Sequence, residues 1–134
     1  MSKIQKSEET WRKELSEEAY YVLRQRGTER PFTGQYYLHE AIGTYHCRAC
    51  SQALFDSSHK YHSGCGWPSF WSELDTAQIL KKPDYTHGMS RIELCCSQCD
   101  SHLGHIFTDG PAPSGLRYCI NSICLEFQPK ENEI

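Results

Sequence analysis

The spacing of apolar residues changes along the chain, from a helical period near the N-terminus to short strand-like segments after Pro31. A serine followed by two glutamates predicts a capped helix over residues 7–14, and the same pattern predicts a second helix over 16–26. The second helix is expected to stop at Gly27, because glycine is the usual residue just past a helix end. We expect the apolar side of these helices to pack on the body of the domain: Trp11, Ala19, Val22 and Leu23.

From residue 31 onwards, segments rich in aromatic and β-branched residues alternate with Gly, Pro, Ser and Asp, which is typical of strands and turns. The predicted strands cover residues 43–46, 78–81, 90–95, 105–108, 117–120 and 122–128. No second helical period and no strand–helix alternation follow. We therefore predict a mostly β fold, with antiparallel sheets around one core and short helices confined to residues 7–27. A β body over 31–128 would complete a single domain, followed by a loose tail.

Composition narrows the classes of function. The 134 residues carry a net charge of −3 and a pI of about 6.1, so we expect no broad basic surface for nucleic acid. No apolar run approaches the roughly 20 residues that cross a membrane. The charged N-terminus shows no apolar leader, and we expect a cytoplasmic protein.

Four of the eight cysteines form two Cys-x-x-Cys pairs, Cys47 with Cys50 and Cys96 with Cys99. This is the ligand spacing of closed tetrahedral zinc sites, and a strand-like stretch precedes each pair, so each turn can present two thiolates. In a reducing cytosol, cysteines at this spacing bind metal more often than they form disulfides. We therefore predict one structural zinc ion per chain. Four thiolates leave no open position for water, which argues against catalytic zinc.

Other cysteines and one histidine leave alternatives open. His46 is a zinc ligand by residue type, although the four-cysteine set is complete without it. Cys95 stands next to Cys96, and we assign Cys96 to the metal because it keeps the spacing with Cys99. Cys95 and Cys124 are interpreted as small hydrophobes, the usual role of free cysteines. The even cysteine count also keeps a secreted disulfide protein open, against the missing leader.

Cys119 lies outside the zinc set, on a predicted strand. On an extended strand, residues two apart share a face, so Arg117, Cys119 and Asn121 are expected to project together. The arginine is expected to lower the pKa of the thiol and favour the nucleophilic thiolate. The amide can orient a substrate by hydrogen bonding. Together these features indicate a reactive cysteine.

Two histidines and an aspartate precede that strand: His102, His105 and Asp109. Histidine is the usual proton donor near neutral pH. If this stretch is extended, His105 and Asp109 share a face, and we expect the carboxylate to fix the imidazole. His102 taken alone is equally well interpreted as a buried structural histidine.

A third cysteine, Cys65, lies between Gly64 and Gly66. Glycines on both sides give flexible backbone, and a mobile thiol suits thiol–disulfide exchange. Trp67 offers a flat apolar wall beside it. Taken separately, the two are also compatible with a loop cysteine and a core tryptophan.

Segments 64–70, 102–110 and 117–122 together resemble methionine-R-sulfoxide reductases of the B type, and the two Cys-x-x-Cys pairs resemble the zinc-containing branch of that family. The resemblance extends to residues 24–34 and so covers nearly the whole chain. It implies antiparallel β-sheets with N-terminal helices. It also implies reduction of the R epimer of methionine sulfoxide, free or in oxidised proteins, and hence repair of oxidised methionine.

The same resemblance implies roles for individual residues. Cys119 corresponds to the nucleophile, which becomes a sulfenic acid, and Cys65 corresponds to the resolving cysteine, with thioredoxin reducing their disulfide. Trp67 corresponds to the residue that packs against the substrate methyl group. Cys124 departs from the family, since a residue without a thiol is expected there, and leaves the choice of resolving cysteine open. The polar residues around the sulfoxide and thiolate correspond to His102, His105, Asp109, Arg117 and Asn121.

Two other interpretations compete with the reductase. One is a non-enzymatic zinc-binding module that contacts a protein partner, which explains the Cys-x-x-Cys pairs and the predicted strands. It gives Cys65, Trp67, the histidines and Cys119 no shared purpose. A thiol peroxidase shares the nucleophile but has no use for a tryptophan wall.

Overall fold

The computed structural model describes residues 4–77 and 79–130, and within these ranges nine strands form two antiparallel sheets. This confirms the predicted mostly β fold. One sheet has the order β2-β1-β9 and the other has the order β3-β4-β8-β7-β6-β5. The strands are β1 (Gly43–Cys47), β2 (Ala53–Asp56), β3 (Lys60–Tyr61), β4 (Ser69–Phe70), β5 (Leu80–Asp84), β6 (Arg91–Cys95), β7 (His102–Phe107), β8 (Arg117–Ile120) and β9 (Leu125–Pro129).

Two helices precede the sheets, α1 (Glu8–Glu14) and α2 (Glu17–Gln25), and the two predicted serines cap them. The left-handed residue after α2 is Arg26, with φ 57°, and not the glycine that follows it. Gly27 instead lies against the exposed Tyr21 ring, which would have to move to admit a Cβ, since that atom would lie 2.3 Å from the ring. Neither helix, nor any other in residues 4–77 and 79–130, is long and apolar enough to cross a membrane.

The predicted strands differ from the observed ones mainly at their ends. Residues 122–124 form a short 3₁₀ helix before β9, where we predicted strand from residue 122. β7 begins at His102, three residues before the predicted start. β5 continues through Pro83, which an edge strand tolerates because its free side needs no N–H donor. Residue 78, the predicted start of that strand, lies outside the described residues, as does most of the predicted tail.

Three observed strands, β2, β3 and β4, were not predicted. They have four, two and two residues, too few for alternation to stand out from the surrounding turns. β4 matters most for the site, because it follows Pro68 and pairs with β8.

β8 lies in the middle of the six-stranded sheet, and its side chains alternate between two environments. Tyr118 and Ile120 point into the core, while Arg117 and Cys119 face a cavity on the other side. The core is continuous from the helices to both sheets and includes Trp11, Val22, Leu23, Tyr45, Phe55, Phe70, Leu94, Leu103 and Leu125. Burial of Tyr118 and Ile120 therefore fixes which way Cys119 points.

Candidate active site

Cys119 lies at the floor of a cavity of about 240 Å³ in the six-stranded sheet. Its direct cross-strand neighbours are Ser69 on β4 and His105 on β7. Because paired residues in antiparallel strands project to the same side, these three side chains share the cavity face. The cavity is lined by Thr28, Cys65, Trp67, Arg91, Gly104, His105, Phe107, Arg117, Cys119 and Asn121.

The second cavity thiol, Cys65, lies close to Cys119, with 3.8 Å between the two Sγ atoms. Cys65 belongs to a loop in which Gly64 and Gly66 have φ values of 81° and 101°. Such values are strained for any residue with a Cβ, so this loop requires its glycines. Formation of a disulfide needs about 2 Å between the sulfurs, a short movement that the loop can supply.

Two buried or half-buried serines hold the Cys65 thiol. The Ser69 hydroxyl lies 3.4 Å from Cys65 Sγ and 2.7 Å from the Ser63 hydroxyl. The Ser63 hydroxyl in turn accepts a hydrogen bond from the Cys65 backbone N–H at 3.3 Å. These contacts give a Cys65 thiolate hydrogen-bond donors in addition to Cys119.

The hydrogen bond between the two thiols shifts their pKa values in opposite directions. It lowers the pKa of Cys65 to about 4, with further help from the hydroxyls of Ser63 and Ser69. The same hydrogen bond, together with burial, raises the pKa of Cys119, and the nearby Arg117 only partly opposes this. Our expectation that Arg117 leaves Cys119 with a lowered pKa is therefore wrong while Cys65 is in contact. A proton shared by the two sulfurs is therefore expected on Cys119, with the negative charge favoured on Cys65.

This sharing predicts the order in which the thiols react with iodoacetamide. At pH 6, Cys65 should be alkylated first, because it is the thiolate. In Cys65→Ala, the largest cause that raises the pKa of Cys119 is gone, so Cys119 should react faster at pH 7.5. Each unit of fall in its pKa raises the thiolate fraction about tenfold. Mass spectrometry of the two cysteine peptides measures both rates. Earlier labelling of Cys119 in the unmodified protein at pH 6 would contradict the shared proton.

His105 is held by Asp84 and not by Asp109. Its Nε2 lies 2.8 Å from Asp84 Oδ2, at the end of β5. Asp84 is 5% exposed and also accepts from the backbone N–H and the hydroxyl of Thr86. The hydrogen bond from His105 lowers the pKa of Asp84. Burial lowers the pKa of His105, and Asp84 opposes that effect.

Asp109 pairs with Arg117 instead, through contacts of 2.9 and 3.3 Å between both carboxylate oxygens and the guanidinium. The predicted contact with His105 is wrong because β7 ends at Phe107, so Asp109 has left the strand. The Arg117 guanidinium also stacks on the Phe107 ring at 4.3 Å. Two contacts therefore hold the cation on the cavity wall beside Cys119.

His102 is buried next to the cavity rather than in its lining. Its Nδ1 lies 2.7 Å from Glu93 Oε2, and Arg26 binds the other Glu93 oxygen at 2.8 Å. The His102 and His105 rings are 5.5 Å apart. His102 therefore does not face the thiols directly and can influence them only through its neighbour His105. Both histidines also line a neighbouring depression.

The side-chain amide of Asn121 forms hydrogen bonds with backbone groups through both its oxygen and its nitrogen. Its Oδ1 accepts from Glu29 N–H at 3.0 Å, and its Nδ2 donates to Leu103 O at 3.0 Å. Trp67 Nε1 donates to Glu29 O at 3.1 Å. Residue 29 is thus fastened between Asn121 and Trp67, which holds the indole at the cavity wall.

The four predicted metal ligands form one cluster, in which all four sulfur atoms lie within 4.8 Å of one another. Two Sγ–Sγ distances are 3.7 Å (Cys47 to Cys99) and 3.5 Å (Cys50 to Cys96). A tetrahedron with metal–sulfur bonds of about 2.3 Å has edges of about 3.8 Å, so the cluster fits a metal ion bound by four thiolates. His46 bonds to the Ser51 carbonyl instead, and Cys95 and Cys124 are buried outside the cluster.

The two cysteine turns have the same backbone geometry. Ser51 N–H donates to Cys47 O, and Asp100 N–H donates to Cys96 O, each at 2.8 Å. Ser51 and Asp100 are both left-handed, with φ of 69° and 62°. The two turns therefore present their pairs of thiols in the same way. The equal spacing of the two Cys-x-x-Cys pairs had predicted that each turn presents two thiolates.

Four residues that shape the site were missed by the sequence reasoning: Asp84, Glu93, Ser69 and Glu29. Asp84 had one local signal, since an aspartate two residues before a threonine often forms a side-chain turn. Its contact with His105 depends on the pairing of β5, β6 and β7, which local patterns do not contain.

Nearly the whole chain is similar to known proteins of one family. The SelR domain family model matches residues 15–129. The chain is 54% identical over 131 residues to the peptide methionine sulfoxide reductase MsrB of Pseudomonas putida (strain W619), covering 98% of each chain. It is 50% identical over 133 residues to the protein of the same name from Hahella chejuensis (strain KCTC 2396), covering 99% of this chain and 96% of the relative.

Proposed function

The chain belongs to the SelR domain family of B-type methionine sulfoxide reductases, and on that premise we propose that it reduces the R epimer of methionine sulfoxide through Cys119. The observation that carries the proposal is the pair of thiols, 3.8 Å apart, in a cavity that also contains a cation, a histidine and an indole. A binding module needs no such combination.

Cys119 is the nucleophile in this proposal. When a sulfoxide enters, Cys65 moves aside on its glycine loop, which removes the largest cause that raises the pKa of Cys119. Arg117 then favours the thiolate. The thiolate attacks the sulfoxide sulfur and forms an S–S bond while His105 donates a proton to the sulfoxide oxygen. The oxygen then passes to Cys119 as the substrate S–O bond and the new S–S bond both break. Methionine leaves, and Cys119 becomes a sulfenic acid. Trp67 packs against the substrate methyl group.

Cys65 resolves the sulfenic acid. Its thiol condenses with the Cys119 sulfenic acid to give a Cys65–Cys119 disulfide and one water. Thioredoxin, a dithiol, supplies two electrons by thiol–disulfide exchange and is itself oxidised to a disulfide. Cys124 does not compete for this role, because it is fully buried and its thiol bonds to His102 O. A reducing cytoplasm suits this cycle, and the substrate is methionine sulfoxide, free or in oxidised proteins.

Zinc is the metal that we propose for the four-cysteine cluster. Four thiolates and no water position suit a structural zinc ion, which would hold Cys47, Cys50, Cys96 and Cys99 together. Four thiolates around a divalent cation carry a net charge of −2, which a nearby positive side chain would partly offset. Arg24 lies beside the cluster, where its guanidinium donates to Cys99 O at 2.8 Å.

The test gives purified protein each methionine sulfoxide epimer with dithiothreitol and quantifies methionine. Methionine from the R epimer alone is expected. No methionine from either epimer, in folded metal-loaded protein, would favour the binding module. Peroxide-dependent turnover without sulfoxide would favour a thiol peroxidase.

Asp84→Asn is expected to slow methionine formation by about 10- to 100-fold, because His105 then loses the carboxylate that favours its protonated form. A proton donor with a lower pKa loses its proton at lower pH. The alkaline limb of the pH–rate profile should therefore move to lower pH. Single-turnover methionine formation between pH 5 and 9 measures both effects.

Asp109→Asn is the matched control for Asp84→Asn. It removes a carboxylate from Arg117, not from His105, and should leave the alkaline limb in place. An equal shift of the limb in both variants would mean that Asp84 does not act through His105.

A further inference from the structure

Phe32 is an apolar residue that the proposed reaction does not use. Its side chain is 64% exposed, and its backbone is left-handed, with φ 67°. A bulky residue rarely adopts this conformation, and strain of this kind is often kept where a site needs it. An exposed phenylalanine on strained backbone therefore requires an explanation.

The ring of Phe32 lies against the loop that carries Cys65. Phe32 N–H donates to Gly66 O at 2.7 Å. A Cβ added to Gly66 would lie 3.3 Å from Phe32 Cε2 and 2.7 Å from Pro31 Cβ. On its other side the ring meets Tyr37 edge-on, with centroids 5.4 Å apart. Pro31, Phe32 and Tyr37, here called the Phe32 patch, are thus joined to the backbone next to the resolving thiol.

The Phe32 patch is not part of the substrate cavity. None of its three residues lines the space around Cys119, where Trp67 and Phe107 supply the apolar wall. The patch instead adjoins the Cys65 loop through Gly66. A protein interface commonly buries about 800 Å² of each partner, so a protein that docks around Cys65 is expected to cover the patch, whereas a sulfoxide in the cavity is not.

We propose that the Phe32 patch is the docking surface for the protein dithiol that reduces the Cys65–Cys119 disulfide, an inference that rests on the proposed function. A reductant thiolate attacks Cys65 Sγ, the S–S bond breaks, and Cys119 leaves as a thiolate. The reductant's second thiol then attacks the mixed disulfide and releases Cys65, so two electrons pass from the dithiol. Attack is placed on Cys65 because it also lines a second depression, with Ser63 and Gly64, that Cys119 does not line.

The test measures how fast reduced thioredoxin and dithiothreitol each reduce the pre-formed disulfide in Phe32→Ala. Truncation of a central aromatic anchor at a protein interface commonly weakens association about tenfold or more. The ratio of the thioredoxin rate to the dithiothreitol rate should therefore fall about tenfold. Because dithiothreitol needs no docking surface, the ratio also corrects for any disturbance of the Cys65 loop.

Ile42→Ala is the control, since Ile42 is a similarly exposed apolar residue, at 71%, outside the Phe32 patch. Its ratio should stay unchanged, and Phe32→Leu should keep most of the wild-type ratio. An unchanged ratio in Phe32→Ala overturns the proposal. A raised KM for a sulfoxide peptide with an unchanged ratio also overturns it and assigns the patch to substrate. Failure of the proposed function is distinct: the unsubstituted protein would form no Cys65–Cys119 disulfide.

Discussion

Replacement of Cys119 by serine is expected to lower methionine production by at least about 10³-fold, the largest loss from any single change in the cavity. A serine hydroxyl is a far weaker nucleophile than a thiol, and its oxygen cannot form a sulfenic acid. The neighbours Ser69 and His105 remain in place, because β8 is held by Tyr118 and Ile120 in the core. Methionine formed from the R epimer with dithiothreitol measures the loss.

Cys65→Ser is the matched control, since it removes the other cavity thiol at 3.8 Å. This variant should still form one methionine per enzyme and then stall with thioredoxin, because the sulfenic acid has no resolving partner. Appreciable turnover in Cys119→Ser would end its assignment as nucleophile. Undiminished thioredoxin-driven turnover in Cys65→Ser would remove Cys65 from the cycle.

The parts of the fold that the sequence predicts well are those determined by neighbouring residues. Serine caps and acidic first turns predicted both helices, and alternation predicted β8 to the residue. Alternation also predicted that Arg117 and Cys119 share a face, and the structure places the alternate residues Tyr118 and Ile120 in the core. The Cys-x-x-Cys spacing predicted the four-cysteine cluster, because two such turns aim four thiols at one point.

The parts that the sequence does not predict depend on register between distant strands. A shift in pairing between Leu94 and Cys95 lets β7 begin at His102. Pairing of β6 with both β5 and β7 then places Asp84, at the end of β5, within reach of the His105 side chain. Asp84 and His105 are 21 residues apart, and nothing local links them. Asp109, only four residues from His105, looked the better partner on an extended strand. A strand that ends at Phe107 removes that contact.

The charge on the thiols also depends on a contact that the sequence does not contain. Arg117, two residues from Cys119, predicted a lowered pKa. Cys65 approaches from 54 residues away, and its hydrogen bond outweighs the arginine. The pKa of Cys119 is therefore linked to the position of a glycine-flanked loop. In the proposed mechanism, substrate entry displaces that loop and so favours the Cys119 thiolate.

Loss of the metal is expected to destabilise the whole fold. Cys47 ends β1 and Cys50 lies in the turn between β1 and β2, whereas Cys96 and Cys99 belong to the turn between β6 and β7. The cluster thus joins the three-stranded sheet to the six-stranded sheet, and α2 is tied to it through Arg24. Cys96→Ser should lower the melting temperature by more than about 10 °C, because structural zinc contributes several kcal/mol to folding.

Cys95→Ser provides a closely matched control, since Cys95 is the adjacent residue, is also buried and lies outside the cluster. It should keep one metal ion per chain and lower the melting temperature by only about 5 °C, the usual scale of a mild core substitution. Metal content and thermal unfolding of both variants check this. Equal destabilisation with the metal retained in both would mean that packing, not the metal, holds this region. If Cys96→Ser instead loses the metal and stability together, the two sheets depend on a bond that no side-chain packing replaces.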